Sequence, residues 1–528
     1  MMFSIPYSQT GYFSKLMIDY LNQDARLSPL YNRFPTLENF KLQIQEKQQA
    51  FPLHHRKVLV QQLSKQYANS ETSSATLQHI QQLGNTNTFT VVTGHQLNLF
   101  TGPLYFLYKI ISTINLCKEL KKTYPEYDFV PVYWMATEDH DFDEINYFNF
   151  NRKKCQWNKE VSGPVGRLNT DGLQAVFDEF KKHLPLGNNA NELTLLFENA
   201  YLKHDNLADA TRYLANELFK NQGLVIVDGD DTELKQLFIP SMKEELQNQS
   251  SFKEVEKSYD ILKDYIIQVN PREINLFFIE HGLRERIVFE EDTFKVLNTD
   301  LQFTKDELLH LVDTNPEKFS PNVILRPLYQ EVILPNLCYI GGGGELAYWL
   351  ELKEVFTLHN TPFPMLLLRN SVLLATEKQN QKREKLNLSW EELFLKTDDF
   401  IQKKTKDFAQ HVFDFEQQKQ FLKDQFTALK EVTLQTNKSF IGAVNAQETK
   451  QIKGLENLEK RYFKAERLKN KEQLDRMLDL KIALFPNNSL QERIGNFSTL
   501  YVDYGQKMID TLLENLHPLD QNYSIITL

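Results

Sequence analysis

A doubly wound α/β sheet followed by a helical, coiled-coil C-terminal domain is the architecture that this 528-residue sequence predicts. Three observations carry that expectation. Five short apolar runs each break off into a polar or glycine-rich cluster, helical patterns lie between them, and from Met365 to Phe485 there is no proline and only two glycines. Continuous apolar strands suit a parallel sheet covered on both faces. Strands alternating with helices imply winding on both sides of that sheet.

Taken in order, residues 1–84 read as an N-terminal helical lead-in, and 85–150 as the first half of the core. Phe89, Thr90, Val91 and Val92 run into Thr93, Gly94, His95 and Gln96. The next segment places Leu104, Leu107, Tyr108, Ile111 and Ile114 on one helical face, with Pro103 suited to the first helical position. The run at 130–136 ends in Glu138, Asp139, His140 and Asp141. Residues 151–220 are longer than a crossover needs and predict an inserted subdomain. The second half of the core spans 221–372, with a further insertion near 250–320. Its runs end in Asp228, Gly229, Asp230 and Asp231, then in four glycines, Gly341 to Gly344, then in Arg369, Asn370 and Ser371. Residues 373–528 form the helical domain. Phe408, Val412, Phe415, Lys419, Leu422, Phe426, Leu429 and Thr433 step by four and three, and Leu455, Leu458, Tyr462 and Ala465 add a weaker seam. Ser389 with Glu392, and Ser489 with Glu492, have capping-box spacing.

In such sheets the site lies beyond the carboxyl ends of the strands, where all five clusters fall. At the first, Thr93, Gly94, His95 and Gln96 offer polar groups ahead of a helix N-terminus that favours an anion. A turn with a satisfied histidine is the plainer reading. At the second, Glu138, His140, Asp139 and Asp141 can bind a divalent metal, accept an amine or supply a general base. A solvated acidic loop is the alternative. At the fourth, Gly341, Gly342, Gly343 and Gly344 lack packing value, which points to close approach of a ligand to the main chain. Glu345 and Tyr348 follow on a helix. Asn322 and Arg326 lie upstream, and Arg326 suits a bidentate grip on carboxylate or phosphate.

Composition narrows the functional classes. Hydrophobic residues make up 41% of the chain, with 37 Phe and 22 Tyr, so large buried cores are expected. The formal charge is −10 with both signs interspersed, and no basic stripe favours nucleic acid. The opening MMFSIPYSQTGYF lacks the layout of a signal peptide, and PMLLL at 364–368 is too short for a bilayer, so no membrane partner is expected. Three separated cysteines, Cys117, Cys155 and Cys338, give neither a disulfide framework nor a CxxC zinc site, which predicts a reducing, cytoplasmic setting. There is no Walker loop, GxGxxG, GxSxG or HExxH.

The segments TGHQLNLFTGPLYFLYK, PVYWMATEDHDFDEIN, SPNVILRPLYQEVILPNLCYIGGGGELAYWLELK and NSLQERIGNFSTLYVDYG resemble the bacillithiol biosynthesis cysteine-adding family, over nearly the whole chain. The resemblance implies a Rossmann-like core with connective-peptide insertions, a C-terminal coiled-coil domain and a homodimer. It implies a ligase joining the carboxyl of cysteine to the amine of glucosaminyl-malate. The family's core is similar to class I aminoacyl-tRNA synthetases, whose HIGH and KMSKS places hold Thr93 to Gln96 and Arg369, Asn370 and Ser371 here. The mechanistic expectation is activation of the cysteine carboxyl by ATP with Mg2+, as an adenylate. His95, Gln96 and the glycine amides would steady developing charge. Asp139 and Asp141 would hold or deprotonate the amine, and Arg326 or Arg369 would neutralise malate or phosphate. A bound metal of the protein's own is not expected. The polar turn at 487–493, with Gln491 and Arg493, is a candidate second site. Two other classes stay open: a non-catalytic nucleotide- or thiol-binding regulator, and a metal-dependent phosphotransferase.

Overall fold

Strands that are apolar on both faces need ladder partners on both edges and helices above and below. In this computed structural model, which describes residues 2–408, 414–433, 435 and 439–528, the five apolar runs meet that need together. They are β1 (Thr88–His95), β2 (Asp128–Met135), β3 (Val225–Asp228), β4 (Asn336–Gly341) and β5 (Met365–Leu368). All pair in parallel, in the order β5-β4-β1-β2-β3. The chain therefore winds outward from β1 to β3, then returns to the other side of β1. That reversal is the topological switch of a Rossmann-like sheet, and it opens a crevice between the carboxyl ends of β1 and β4.

Every residue of β1 is buried. Phe89, Val91, Leu337, Ile340 and Leu367 of the sheet pack with Leu116 and Leu120 of the helix Tyr105–Thr123, and with Phe40 and Ile44 of the helix Leu37–Ala50. Each such side chain contributes about 1.5–3 kcal/mol on full burial. The helix after β1 opens at Tyr105 rather than Pro103, where the Leu104 N–H donates to the distant Gly495 carbonyl at 2.8 Å.

The chain divides into two compact units, 1–374 with 490–528, and 375–489. Within the first, residues 151–220 hold the strand Lys153–Gln156 and the helices Leu173–His183, Asn188–Tyr201 and Leu207–Phe219. The stretch near 250–320 adds the helix Ser250–Leu262 and antiparallel strands that include Leu276–Glu280 and Leu283–Glu290. The lead-in is not wholly helical. Met2–Pro6 is a strand, antiparallel to Asn522–Thr527, which in turn adjoins Val372–Ala375. A pairing across the length of the chain leaves no local signature. By contact the tail 490–528 belongs to this unit rather than to the helical arm.

In the second unit, Ser389 and Glu392 form the expected capping box. The helices Phe415–Thr433 and Ser439–Lys469 run antiparallel, since Phe415 meets Tyr462, Lys419 pairs with Glu459 and Lys430 with Glu448. Phe415, Phe426 and Thr433 of the expected seam are buried, Leu429 and Leu458 are exposed, and Val412 lies outside the described residues. Ser489 does not open a capping box with Glu492. The short helix Gln491–Ile494 follows Leu490, and Glu492 is used elsewhere.

Candidate active site

The crevice at the switch is a cleft of 680 Å³ lined from four of the five strand ends and from the 250–320 insertion. Thr93 builds it without facing it. Its hydroxyl donates to the Ile340 carbonyl at 2.8 Å and ties β1 to β4. Gly94 lines the wall, where a Cβ would stand 3.1 Å from Tyr339 Oη. Its carbonyl accepts from Lys109 Nζ at 2.7 Å. Lys109 also pairs with Glu345 at 2.6 Å. Burial depresses the lysine, against the charge of Glu345, with Arg369 and Arg326 adding to the depression.

His95 is buried against Tyr105 and Phe106, ring centroids 5.5 and 5.0 Å away. Burial, followed by the charge of Lys109, holds its pKa well below the usual imidazole value. Its Nε2 has no hydrogen-bond partner. It is a neutral imidazole with one nitrogen available. Gln96 bridges acidic groups, donating to Asp139 Oδ2 and Glu144 Oε2, both at 2.9 Å.

The acidic cluster separates into distinct roles. Glu138 pairs at 2.6 Å with Lys235, which is fully buried and also pairs with Asp230. Burial raises the Glu138 carboxyl, with the charge of Lys235 opposing it. Asp139 is the opposite case. Burial raises it too, but hydrogen bonds from His140 and Gln96 and the charge of Arg284 outweigh that and hold it well below the carboxylate range. His140 Nδ1 accepts from Arg284 Nη1 at 2.7 Å. Asp141 does not line the cleft. It caps the helix Phe142–Ile145, accepting from the Glu144 N–H at 3.2 Å, and lines an adjoining pocket with Gln96, Asp139 and His140. Consecutive side chains diverge, and only the first three reach the cleft.

On the β4 side, Gly341 packs inside the strand end, while Gly342, Gly343 and Gly344 line the cleft. Nothing lies within 4 Å of a Cβ built at Gly344, whereas one at Gly343 meets Met17 at 3.1 Å. Glu345 accepts from Gly342 N–H at 2.8 Å and from Tyr339 Oη at 2.7 Å. Tyr348 and Asn322 also line the cleft, but the Asn322 oxygen is engaged by the Ile324 N–H at 2.9 Å as the following helix begins. Arg326 lies between Trp134 and Tyr339, 5.9 and 5.8 Å from their rings, with a buried Nη2 that has no partner.

Arg369 lines the cleft but is engaged, donating to Glu492 Oε1 at 2.7 Å and to Ser371 Oγ at 3.1 Å. Ser371 stays behind it. The two residues of the candidate second site point to different places. Arg493 lines this same cleft, while Gln491 turns away to exchange two 2.9 Å hydrogen bonds with the Leu374 backbone. Sequence reasoning missed Tyr105, Trp134, Tyr339, Arg272, Arg284 and Arg286, all of which line the cleft. Arg284 and Arg286 are two apart on one strand after the His281, Gly282 turn. That alternation signals a strand with both arginines on one face, though not what the face meets.

Comparison with known proteins gives two family matches. A bacillithiol biosynthesis BshC N-terminal Rossmann-like domain matches residues 1–370, and the BshC C-terminal coiled-coil domain matches 372–528. A relative from Flavobacterium johnsoniae, named "Putative cysteine ligase BshC", is 60% identical over 524 residues, 99% of each chain. One of the same name from Cytophaga hutchinsonii is 38% identical over 97% of this chain and 96% of its own. Another from Bacillus cereus is 28% identical over 97% and 98%.

Proposed function

Because the chain belongs to the bacillithiol biosynthesis BshC family, we propose that it is the ligase that joins the carboxyl of cysteine to the amine of glucosaminyl-malate. The observation that carries this reading is the cleft's division of charge. Two carboxylates of unlike proton affinity, Glu138 and Asp139, share it with Arg326, whose Nη2 is unfilled. An amide ligase has to bind an amine together with anionic groups, and this lining supplies both kinds of contact.

Asp139, ionised at working pH, holds the ammonium form of the glucosamine nitrogen. Glu138, whose burial gives it the higher proton affinity, takes the proton as general base. The freed nitrogen then attacks the activated carboxyl of cysteine, the C–N bond forms, the leaving group departs with the electron pair of its bond to carbon, and the surplus proton on nitrogen passes to that leaving group. The main-chain N–H groups of Gly343 and Gly344 steady the charge that develops on oxygen, while the unpartnered Nε2 of the neutral His95 ring accepts a hydrogen bond from substrate. Loss of the dipole of any one such donor typically lowers turnover by about two to three orders of magnitude.

ATP with Mg2+ is the proposed energy donor. Arg326 and the open main chain at Gly344 fit a phosphate group of the nucleotide, which would supply a leaving group for the cysteine carboxyl. The reading also includes a cytoplasmic homodimer. Among the described residues no helix is long and apolar enough to cross a membrane.

Mass spectrometry of the purified chain with cysteine and glucosaminyl-malate, with and without ATP and magnesium, tests the proposal. Bacillithiol formed only with ATP is the expected result. Product without ATP would remove the energy donor from the reading, and no product in either case would overturn the substrate assignment.

A further inference from the structure

Lys47 lies on the helix Leu37–Ala50, and its ammonium meets the Glu331 carboxylate at 2.9 Å with both side chains fully buried. A buried ion pair is a poor source of stability, so this one invites a second reason for its presence. Glu331 Oε1 also accepts from Asn336 Nδ2 at 2.6 Å and from Gln330 Nε2 at 3.0 Å. With its amide nitrogen so engaged, Gln330 turns its oxygen toward Arg326 and accepts from Nη1 at 3.2 Å. The relay thus runs from the N-terminal segment, through a neutral amide, to the guanidinium in the cleft.

The charges along this relay are arranged in one sense. Lys47 neutralises Glu331, so the carboxylate nearest Arg326 in sequence does not neutralise the arginine. The other cations deep in the cleft are already engaged, Arg369 by Glu492 and Lys109 by Glu345. Arg326 instead has an amide on Nη1, the Tyr348 hydroxyl as a neutral hydrogen-bond partner, the Trp134 and Tyr339 rings beside it, and a buried Nη2 without a partner. Such a guanidinium suits a carboxylate or phosphate oxygen.

We propose that Arg326 is the oxyanion anchor of this cleft and that Gln330, Glu331 and Lys47 are its positioning residues. The inference deepens the ligase reading, which names the anions at hand: a malate carboxylate or a phosphate of ATP. It is tested without turnover, by calorimetric binding of L-malate, inorganic phosphate and uncharged methyl N-acetylglucosaminide to the native chain and to Arg326→Met and Gln330→Met. The paired Lys47→Met, Glu331→Gln variant keeps the relay's interior neutral and controls for folding.

The expected result is that one anion loses at least about tenfold in affinity in both single variants, while the paired variant, still neutral inside, binds it within about threefold of the native chain. Affinity for the neutral sugar stays at its native level, and circular dichroism matches the native chain. Whether malate or phosphate is the one affected identifies the source of the oxyanion. Native protein that binds neither anion overturns the anchor. A Gln330→Met chain that binds both anions as the native does overturns the relay, and so does an equal loss for all three probes. Arg326- and Gln330-dependent binding in a chain that forms no bacillithiol would remove the ligase reading and leave the anchor standing.

Discussion

His95 refuses a proton that solvent would readily give it. Its folded pKa lies well below 6.5 because burial and Lys109 disfavour the cation. The unfolded imidazole titrates near about 6.5. Below that pH the unfolded chain binds a proton that the folded chain does not, so stability falls as pH drops through about 6.5. His55, His79 and His359 are depressed by burial in the same sense. His95→Asn should therefore flatten part of the decline in Tm between about pH 7 and about pH 5, with a slope of at most about 1.4 kcal/mol per pH unit for one group. An unchanged profile would mean that His95 is charged in the native chain. Neighbouring carboxylates divide just as sharply. Glu138→Gln should lower turnover by about a hundredfold or more, whereas Asp141→Asn, which retains a capping oxygen, should leave turnover near native. Equal losses in the steady-state assay would overturn that division. The sequence displayed both acids within one four-residue run, but backbone direction decided which one faces the cleft.

At the scale of elements, the glycine run combines two functions. Gly341 to Gly343 are confined by neighbours, while Gly344 opens on the cleft with no atom within 4 Å of a Cβ. Gly344→Ala should hold or raise thermal stability, by about 0.5–1 kcal/mol, because alanine favours a helical turn. Turnover should fall if substrate approaches that main chain, and an unchanged KM and kcat would place the substrate elsewhere. The five strands were legible because each is buried on both faces and so is apolar throughout. The Arg284 and Arg286 wall was less so, since an alternating strand in an insertion carries no mark of what it faces. Glu492 is a similar case. Its spacing from Ser489 suggested a helix cap, yet it is buried against Arg369 and also accepts from the Val372 N–H at 2.9 Å. Glu492→Ala strands a buried guanidinium and should destabilise the fold by roughly 3–5 kcal/mol, read from chemical denaturation. A loss below about 1 kcal/mol would show the pair to be solvent-compensated.

At the scale of the whole molecule, the cleft's lining comes wholly from the first unit. Leu374 and Gln491, which flank the second unit, are joined by two hydrogen bonds. Replacing residues 375–489 by a short flexible linker should then leave a folded first unit, because closing a short loop between adjacent ends costs little entropy. Circular dichroism and calorimetry would check it, and an unfolded product would mean that the first unit depends on the second.

The sequence by itself determined the parallel sheet, the clusters at its strand ends and the helical arm, because period and burial are local properties of a chain. Tertiary structure alone decided the strand that joins residues 2–6 to 522–527, the return of the tail to the core, and the engagement of Arg369 rather than Arg326. Those outcomes depend on which distant groups compete for the same buried space and charge, and no local pattern records that competition.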